Sequence, residues 1–365
     1  MGQITKSKSK VFFISLLVFI FGFLAACSSS ESGSTNSGGQ DSTSTETNNS
    51  DETFRFSYTS AFPPASWDYE AAHYMVEEFV EEVEARSEGR ITFEKSYSNS
   101  LVPQNELLDA LAAGTVDFAL ASPGFFGDVV SSATFSTLPF WSPNDEFGYR
   151  ILKDSEIGDI LDQEIEDYGA KILMYGPTGE YGFISNEPIR KYEDFNGLLI
   201  RAGGNLWNAW YDEMGAAPAN VSVVESYEAL QRGTINATGT PYHNIETFNY
   251  HEVAGYMIKP PVYSSIFMIT LASQQAWNKL PEDLQDLLLE VSLEMEHKSI
   301  DGAKVFNENN DSMAEGFGVE VITLPEEEVE KWEESGQAAW ERFANLSENN
   351  KRIIELLRDE LEALE

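Results

Sequence analysis

Between Asn196 and Asn244 an apolar run, Leu198-Leu199-Ile200, ends on Arg201 and passes straight into Ala202-Gly203-Gly204. A short apolar run bounded by glycines reads as a buried strand followed by a tight turn. The spacing then predicts a helix from Asn205 to Met214, closed by Gly215. Strand, Gly-rich turn and helix in that order belong to an α/β sheet, whose ligands bind outside the carboxyl ends of the strands. Arg201 stands at such an end. Its guanidinium stays charged and offers a planar fork of donors that matches a carboxylate in two parallel hydrogen bonds. A surface ion pair is the alternative, and spacing alone leaves it open.

The rest of the chain repeats this alternation. Phe54 to Thr59 reads as a strand, Ser60 to Pro64 as a loop, and Ser66 to about Ser87 as a helix with Ala72, Val76, Phe79 and Val83 on one face. Gly89 supplies the stop. Strand Ile91–Tyr97, helix Gln104–Ala113 and strand Thr115–Ala121 follow, an order that predicts a parallel sheet. Lys171–Tyr175, Tyr181–Ser185, Ile200-Arg201 and Ala219–Val221 read as strands of a second lobe, and Ile258–Tyr263 as a segment crossing back to the first. A long apolar periodicity from Pro281 through Leu284, Leu288, Val291 and Met295 to about Ala314 predicts one helix of roughly 50 Å at 1.5 Å per residue. That length can run along both lobes. The last stretch, with Trp332, Trp340, Phe343, Ile353 and Leu356, reads as helical packing on the second lobe. One echo points to two similar lobes: Ala110-Leu111 with Gly114-Thr115-Val116-Asp117 recurs as Ala229-Leu230 with Gly233-Thr234-Ile235-Asn236.

The N-terminus carries a different signal. Lys6, Lys8 and Lys10 precede the apolar run Val11–Phe23 and then Leu24-Ala25-Ala26-Cys27. A basic segment, a short apolar segment and small residues before a cleavage point make a secretory leader, over residues 1–26. Leu-Ala-Ala-Cys resembles the lipobox of bacterial lipoproteins, which implies lipidation of Cys27, the chain's 1 cysteine, and a lipid anchor on the extracytoplasmic face of the cell membrane. With no second cysteine, a disulfide framework and a zinc–thiolate cluster are excluded. Residues 27–52 are Ser, Thr, Asn and Gly with scattered acids beyond the cysteine, a composition that cannot bury a core and reads as a disordered tether.

The stretch around Arg201, together with Glu225-Ser226-Tyr227-Glu228-Ala229-Leu230-Gln231 and Gly233-Thr234-Ile235-Asn236, resembles the signature of substrate-binding proteins of TRAP (tripartite ATP-independent periplasmic) transporters, C4-dicarboxylate type. The likeness runs from about Phe54 into the C-terminal region. It implies a two-lobed α/β periplasmic-binding-protein-like fold with a long helix bridging both lobes, over 53–365. Lobe I takes about 53–177 plus 264–305 and lobe II about 178–263 plus 306–365. These limits put Lys171–Tyr175 in lobe I, against the strand reading above. The resemblance further implies that Arg201 holds the ligand carboxylate in an interlobe cleft that closes by hinge motion, and that an ion-driven TRAP permease receives the ligand.

Other positions depart from the family pattern. Dicarboxylate and sialic-acid members carry a second arginine about 20 residues before the main one, where this chain has Tyr181, and an Asn-Pro pair where it has Thr240-Pro241. One fewer cation implies a ligand with one carboxylate, or a zwitterion of the ectoine type. Tyr181, Trp207, Tyr242 and Tyr263 are candidates to line the pocket beside Thr240, with core packing as the alternative for each. Ser122–Gly127 is similar to a loop of ectoine-binding members whose aromatic ring meets the ligand, which nominates Phe125. His243 is a further candidate, and Glu180 reads as a structural or rim acid.

Composition closes several routes. The formal net charge is −38, from 61 acids against 23 lysines and arginines, which excludes nucleic acid as a partner. His251-Glu252 is followed at the fifth position by Gly255, so the zinc-protease pattern fails. There is no phosphate loop, no G-x-G-x-x-G and no G-x-S-x-G elbow. The expectation is a monomeric binding protein without cofactor, metal or catalytic residues. A ligand-presenting receptor for a sensor kinase and a secreted hydrolase stand as rivals.

Overall fold

A computed structural model describes residues 52–364 other than 69 and 265; the leader, Cys27 and nearly all of the tether lie outside them. Eleven strands are present among the described residues: β1 Phe54–Ser60, β2 Ile91–Ser96, β3 Phe118–Ala121, β4 Ala170–Pro177, β5 Tyr181–Ser185, β6 Leu199–Ala202, β7 Ala217–Asn220, β8 Ala237–Pro241, β9 Tyr256–Tyr263, β10 Phe267–Ser273 and β11 Glu320–Thr323. They form two mixed sheets, ordered β2-β1-β3-β10-β4 and β11-β9-β5-β8-β6-β7. β1 runs parallel to β2 and β3, as the alternation predicts, and β10 closes the first sheet antiparallel to β3 and β4. In the second sheet β6 is parallel to β7 and β8, while β5 is antiparallel to β8 and β9.

Each sheet has one apolar cluster of its own, and a third, larger cluster is shared by both. Phe56 and Tyr58 of β1 meet Phe93 and Phe118, with the Phe56 and Phe118 ring centroids 5.2 Å apart. The helix behind them covers residues 71–86, with a π-helical turn at His73–Glu78, and buries Met75, Val76, Phe79 and Val83. It begins later than the predicted Ser66: Ser66, Trp67, Asp68 and Glu70 lie outside the helix, and the Ser66 amide donates to the Glu70 carboxylate. The repeated Ala-Leu…Gly-Thr unit has the same geometry in both sheets. Gly114 and Gly233 sit at φ +69° and +68°. The Thr115 and Thr234 hydroxyls donate to the Ala110 and Ala229 carbonyls at 3.0 and 2.9 Å. A left-handed glycine ends a short helix in each case and the chain enters β3 or β8.

Two placements differ from the strand-by-strand reading. Lys171–Tyr175 lies in β4, at the edge of the first sheet, paired with β10. Ile258–Tyr263 is the end of β9 in the second sheet, with β10 making the return. The two crossings lie side by side: the Thr178 amide and hydroxyl both donate to the Ile266 carbonyl, at 2.9 and 3.0 Å.

The predicted long helix is Glu282–Gly316, 35 residues and about 52 Å at 1.5 Å per residue. It packs on β4 and the 71–86 helix at one end and on β11 at the other. Mid-helix, the fully buried Glu296 accepts hydrogen bonds from the Tyr175 amide (2.9 Å), Tyr149 hydroxyl (2.8 Å) and Lys153. The final stretch divides. Helix Glu326–Ala344 packs on helix Asn205–Glu213 of the second sheet, with Trp210 Nε1 donating to Ser335 at 2.8 Å. Helix Glu348–Glu362 returns to the first lobe, where Ser131 bonds Asn350 and Arg352 pairs with Glu156. It packs on the helix Glu326–Ala344 as well as on the helix Glu156–Tyr168 and the turn Ser131–Thr137, burying Ile353, Ile354 and Leu357, so it reaches the first lobe in addition to the packing the sequence predicts. Among the described residues no helix is long and apolar enough to cross a membrane.

Candidate ligand-binding site

A cavity of about 410 Å³ lies between the two sheets. Its walls come from the segments that leave strands at their carboxyl ends: Ala61–Pro64 after β1, Ser122 after β3, Gly203 after β6 and Ser222 after β7. This is where an open α/β sheet binds ligands.

Arg201 is the penultimate residue of β6, 5% exposed. Its Nε donates to the Val221 carbonyl at 3.0 Å. Its Nη1 donates to the Tyr181 hydroxyl at 3.1 Å and to the Gly239 carbonyl at 3.0 Å. Neutral oxygens thus fix one edge of the guanidinium. The Trp207 ring covers it at 5.7 Å from Cζ to centroid. Nη2 makes no hydrogen bond to the described residues, and no carboxylate among them pairs with Arg201. A buried cation without a counter-ion is costly. Here it borders a cavity, where an incoming anion can supply the missing charge. The surface ion pair left open by the sequence is excluded by this burial.

Trp207 stands on helix Asn205–Glu213, its Nε1 donating to the Thr137 carbonyl of the first lobe at 3.2 Å. Tyr181 meets it edge-on, centroids 5.2 Å apart, and Tyr263 stacks behind it, also at 5.2 Å. The close approach to β8 depends on Gly239, where an added Cβ would fall 2.9 Å from the indole and 2.6 Å from the Tyr211 hydroxyl. Phe125, 37% exposed, borders the cavity from the turn Pro123–Phe126. Phe62, Phe248, Met268 and Phe306 make much of the remaining wall apolar.

Residues 68–346 match the family described as bacterial extracellular solute-binding protein, family 7. The chain belongs to this family. A curated relative, the solute-binding protein of Albidiferax ferrireducens, is 25% identical over 292 residues, which is 79% of this chain and 86% of that one. Among solved structures, the fold is similar to a TRAP periplasmic solute-binding protein from Rhodoferax ferrireducens with bound malonate. The TM-score is 0.76 at 24% identity, covering 84% of this chain and 98% of that one. It is also similar to a TRAP periplasmic solute-binding protein from Desulfovibrio salexigens with bound orotic acid, at a TM-score of 0.78 and 20% identity, covering 86% and 100%.

The candidates named from the sequence do not all reach the cavity of this family-7 fold. Arg201, Phe125, Tyr181 and Trp207 border it; Thr240, Tyr242 and Tyr263 do not. Side chains alternate along a strand, so Thr240 turns away from the Gly239 and Pro241 side of β8, and its hydroxyl accepts from Asn244 at 2.6 Å. Tyr242 packs against Gly182, where a Cβ would lie 2.1 Å from its hydroxyl, and donates to the Ile258 carbonyl. Tyr263 is the buried floor under Trp207. Glu180 lies outside the cavity, paired with Lys259 at 2.7 Å.

Three cavity residues carry chemistry that the sequence reading passed over or left open. His243 lies against Phe306, centroids 4.2 Å apart, and burial lowers its pKa to about 4, so it is neutral at pH 7. Glu70 is 9% exposed, and burial raises its pKa to about 7. Thr247, on the short helix Asn244–Thr247, donates to it at 3.4 Å from the other lobe. Glu70 is one of 61 acids. Its only local signal is a position between Trp67 and the apolar face of a helix that follows β1.

Proposed function

We propose that this chain is the extracytoplasmic receptor of a TRAP transporter. It captures a small organic acid through one carboxylate on Arg201 and delivers it to the ion-driven membrane permease. One observation carries this reading: a buried guanidinium with no counter-ion among the described residues, held on one edge by neutral oxygens, faces a cavity. Malonate and orotic acid in structurally similar proteins support an acidic ligand. Arg201 is the one lysine or arginine among the described residues that line the cavity, and His243 is neutral there. That favours a single carboxylate over the two of a C4-dicarboxylate. The aromatic wall of Phe62, Phe125 and Trp207 suits an apolar body behind the acid group.

Both sides of the cleft come from one chain, so a monomer suffices for capture. The role is binding rather than catalysis. Lipidation of Cys27 and a tether over the following residues hold the receptor at the outer face of the membrane. Calorimetry against matched pairs, cyclohexanecarboxylate with its dicarboxylate and butanoate with succinate, tests the ligand class. The monoacid of each pair is expected to bind more tightly. Consistently tighter diacids overturn the single-carboxylate reading and leave the family membership intact.

A further inference from the structure

The cavity has a second pole, opposite in charge to Arg201. Glu70 is the one acidic residue among the described residues that line it. The carboxyl group is held from both lobes. Oε2 accepts from the Ser66 amide at 3.2 Å, in the loop after β1, and Oε1 accepts from the Thr247 hydroxyl at 3.4 Å. Both oxygens are therefore already in acceptor roles, the arrangement that suits an ionised carboxylate. The usual partner of a buried carboxylate is missing: no lysine or arginine among the described residues pairs with Glu70.

We propose that Glu70 selects a ligand carrying a protonated nitrogen remote from its carboxylate, so that the site takes a zwitterion with its acid group on Arg201 and its cationic group on Glu70. This rests on the carboxylate reading of Arg201 and adds the other end of the ligand. A cavity lined by one guanidinium, one carboxyl and a neutral histidine is balanced by a molecule of zero net charge. A monoanion satisfies Arg201 and leaves Glu70 without a cation. The remaining described lining side chains, mostly apolar with a few amides and hydroxyls, offer no second anion.

The titration of Glu70 fits this arrangement. Its pKa stands near 7 because of burial, and the two hydrogen bonds lower it only in part. The charged or titratable groups around it are few. Arg201 and His243 share the cavity wall, and His73 stands in the first turn of the helix that follows Glu70, its amide donating to the Glu70 carbonyl at 2.9 Å. None of them is a cause of the shift. In the empty protein near pH 7 the group is thus partly protonated. An ammonium placed against it favours the ionised form and expels the proton.

The test uses two series that differ only at the far end. γ-Aminobutyrate, δ-aminovalerate and ε-aminocaproate carry an ammonium where valerate, caproate and heptanoate carry a methyl. In wild type, at least one amino acid of the series is expected to bind about ten- to hundredfold more tightly than its methyl partner. Its binding should release about half a proton near pH 7, read by calorimetry in buffers of different ionisation enthalpy. Glu70→Gln should abolish the preference, and Arg201→Ala should weaken both series. The proton count on wild type needs no variant, so it decides even where Glu70→Gln is poorly folded. Methyl acids that bind through Arg201 as tightly as the amino acids, or proton uptake in place of release, overturn the Glu70 proposal and leave the carboxylate reading standing. Binding of either series that is indifferent to Arg201, or no binding of either, overturns both.

Discussion

Glu70 also makes a prediction about stability that needs no ligand. Its pKa is 4.5 as a free side chain and about 7 in the fold, where burial penalises the charged form. Below pH 4.5 both states hold the proton and the group is neutral in its effect. Between pH 4.5 and 7 the unfolded chain releases the proton while the folded chain keeps it, so stability falls as pH rises. Above the folded pKa the loss is complete. A shift of this size corresponds to on the order of 3 kcal/mol. Glu70→Gln removes the titration while retaining the amide acceptor for Ser66 or Thr247. Urea unfolding of wild type and variant should therefore coincide near pH 4, and the variant should gain steadily to on the order of 3 kcal/mol near pH 8. A difference that is flat with pH, or that favours wild type at high pH, refutes the burial argument.

Two other outcomes follow from the geometry and one from the sequence. Glu296→Ala strands the Tyr175 amide, the Tyr149 hydroxyl and Lys153 against the long helix and should cost about 3–5 kcal/mol in urea unfolding; a loss under about 1 kcal/mol contradicts its anchoring role. Tyr181→Phe removes one of two partners of Arg201 Nη1 and should weaken carboxylate binding about tenfold with little change in unfolding midpoint; unchanged affinity means the hydroxyl does not hold the guanidinium. Cys27→Ala should release the protein into the medium or leave the precursor unprocessed; membrane partitioning of a mature, lipid-modified variant excludes the anchor.

The sequence exposes what depends on local pattern and hides what depends on partner choice. Leu199–Ala202 is a strand ending near Arg201 because an apolar run meets two glycines, and both caps at Gly114 and Gly233 are set by the residues around them. Lys171–Tyr175 is as plainly a strand, yet its sheet is chosen by pairing with Phe267–Ser273, about a hundred residues away. The last helix is only half legible for a similar reason: Ile353 and Leu357 mark a buried face without naming all that covers it. Within the site, Arg201 was legible from its strand end. Tyr242 and Tyr263 were equally plausible as rings, and only strand parity and the stacking order behind Trp207 separate them from Tyr181. Glu70 was unreadable because its role arises from burial in a surface otherwise crowded with acids.

The central claim is that Arg201 holds the ligand carboxylate in a desolvated cleft. Its most direct test is the affinity of wild type, Arg201→Lys and Arg201→Ala for one carboxylate, each protein first shown to be folded by its unfolding transition. Breaking a buried, hydrogen-bonded charge pair costs about 2–5 kcal/mol, so Arg201→Ala should bind about thirty-fold to several thousand-fold more weakly. Lysine keeps the charge and loses the fork, so Arg201→Lys should fall between the two. A folded Arg201→Ala that binds the carboxylate as tightly as wild type contradicts the account.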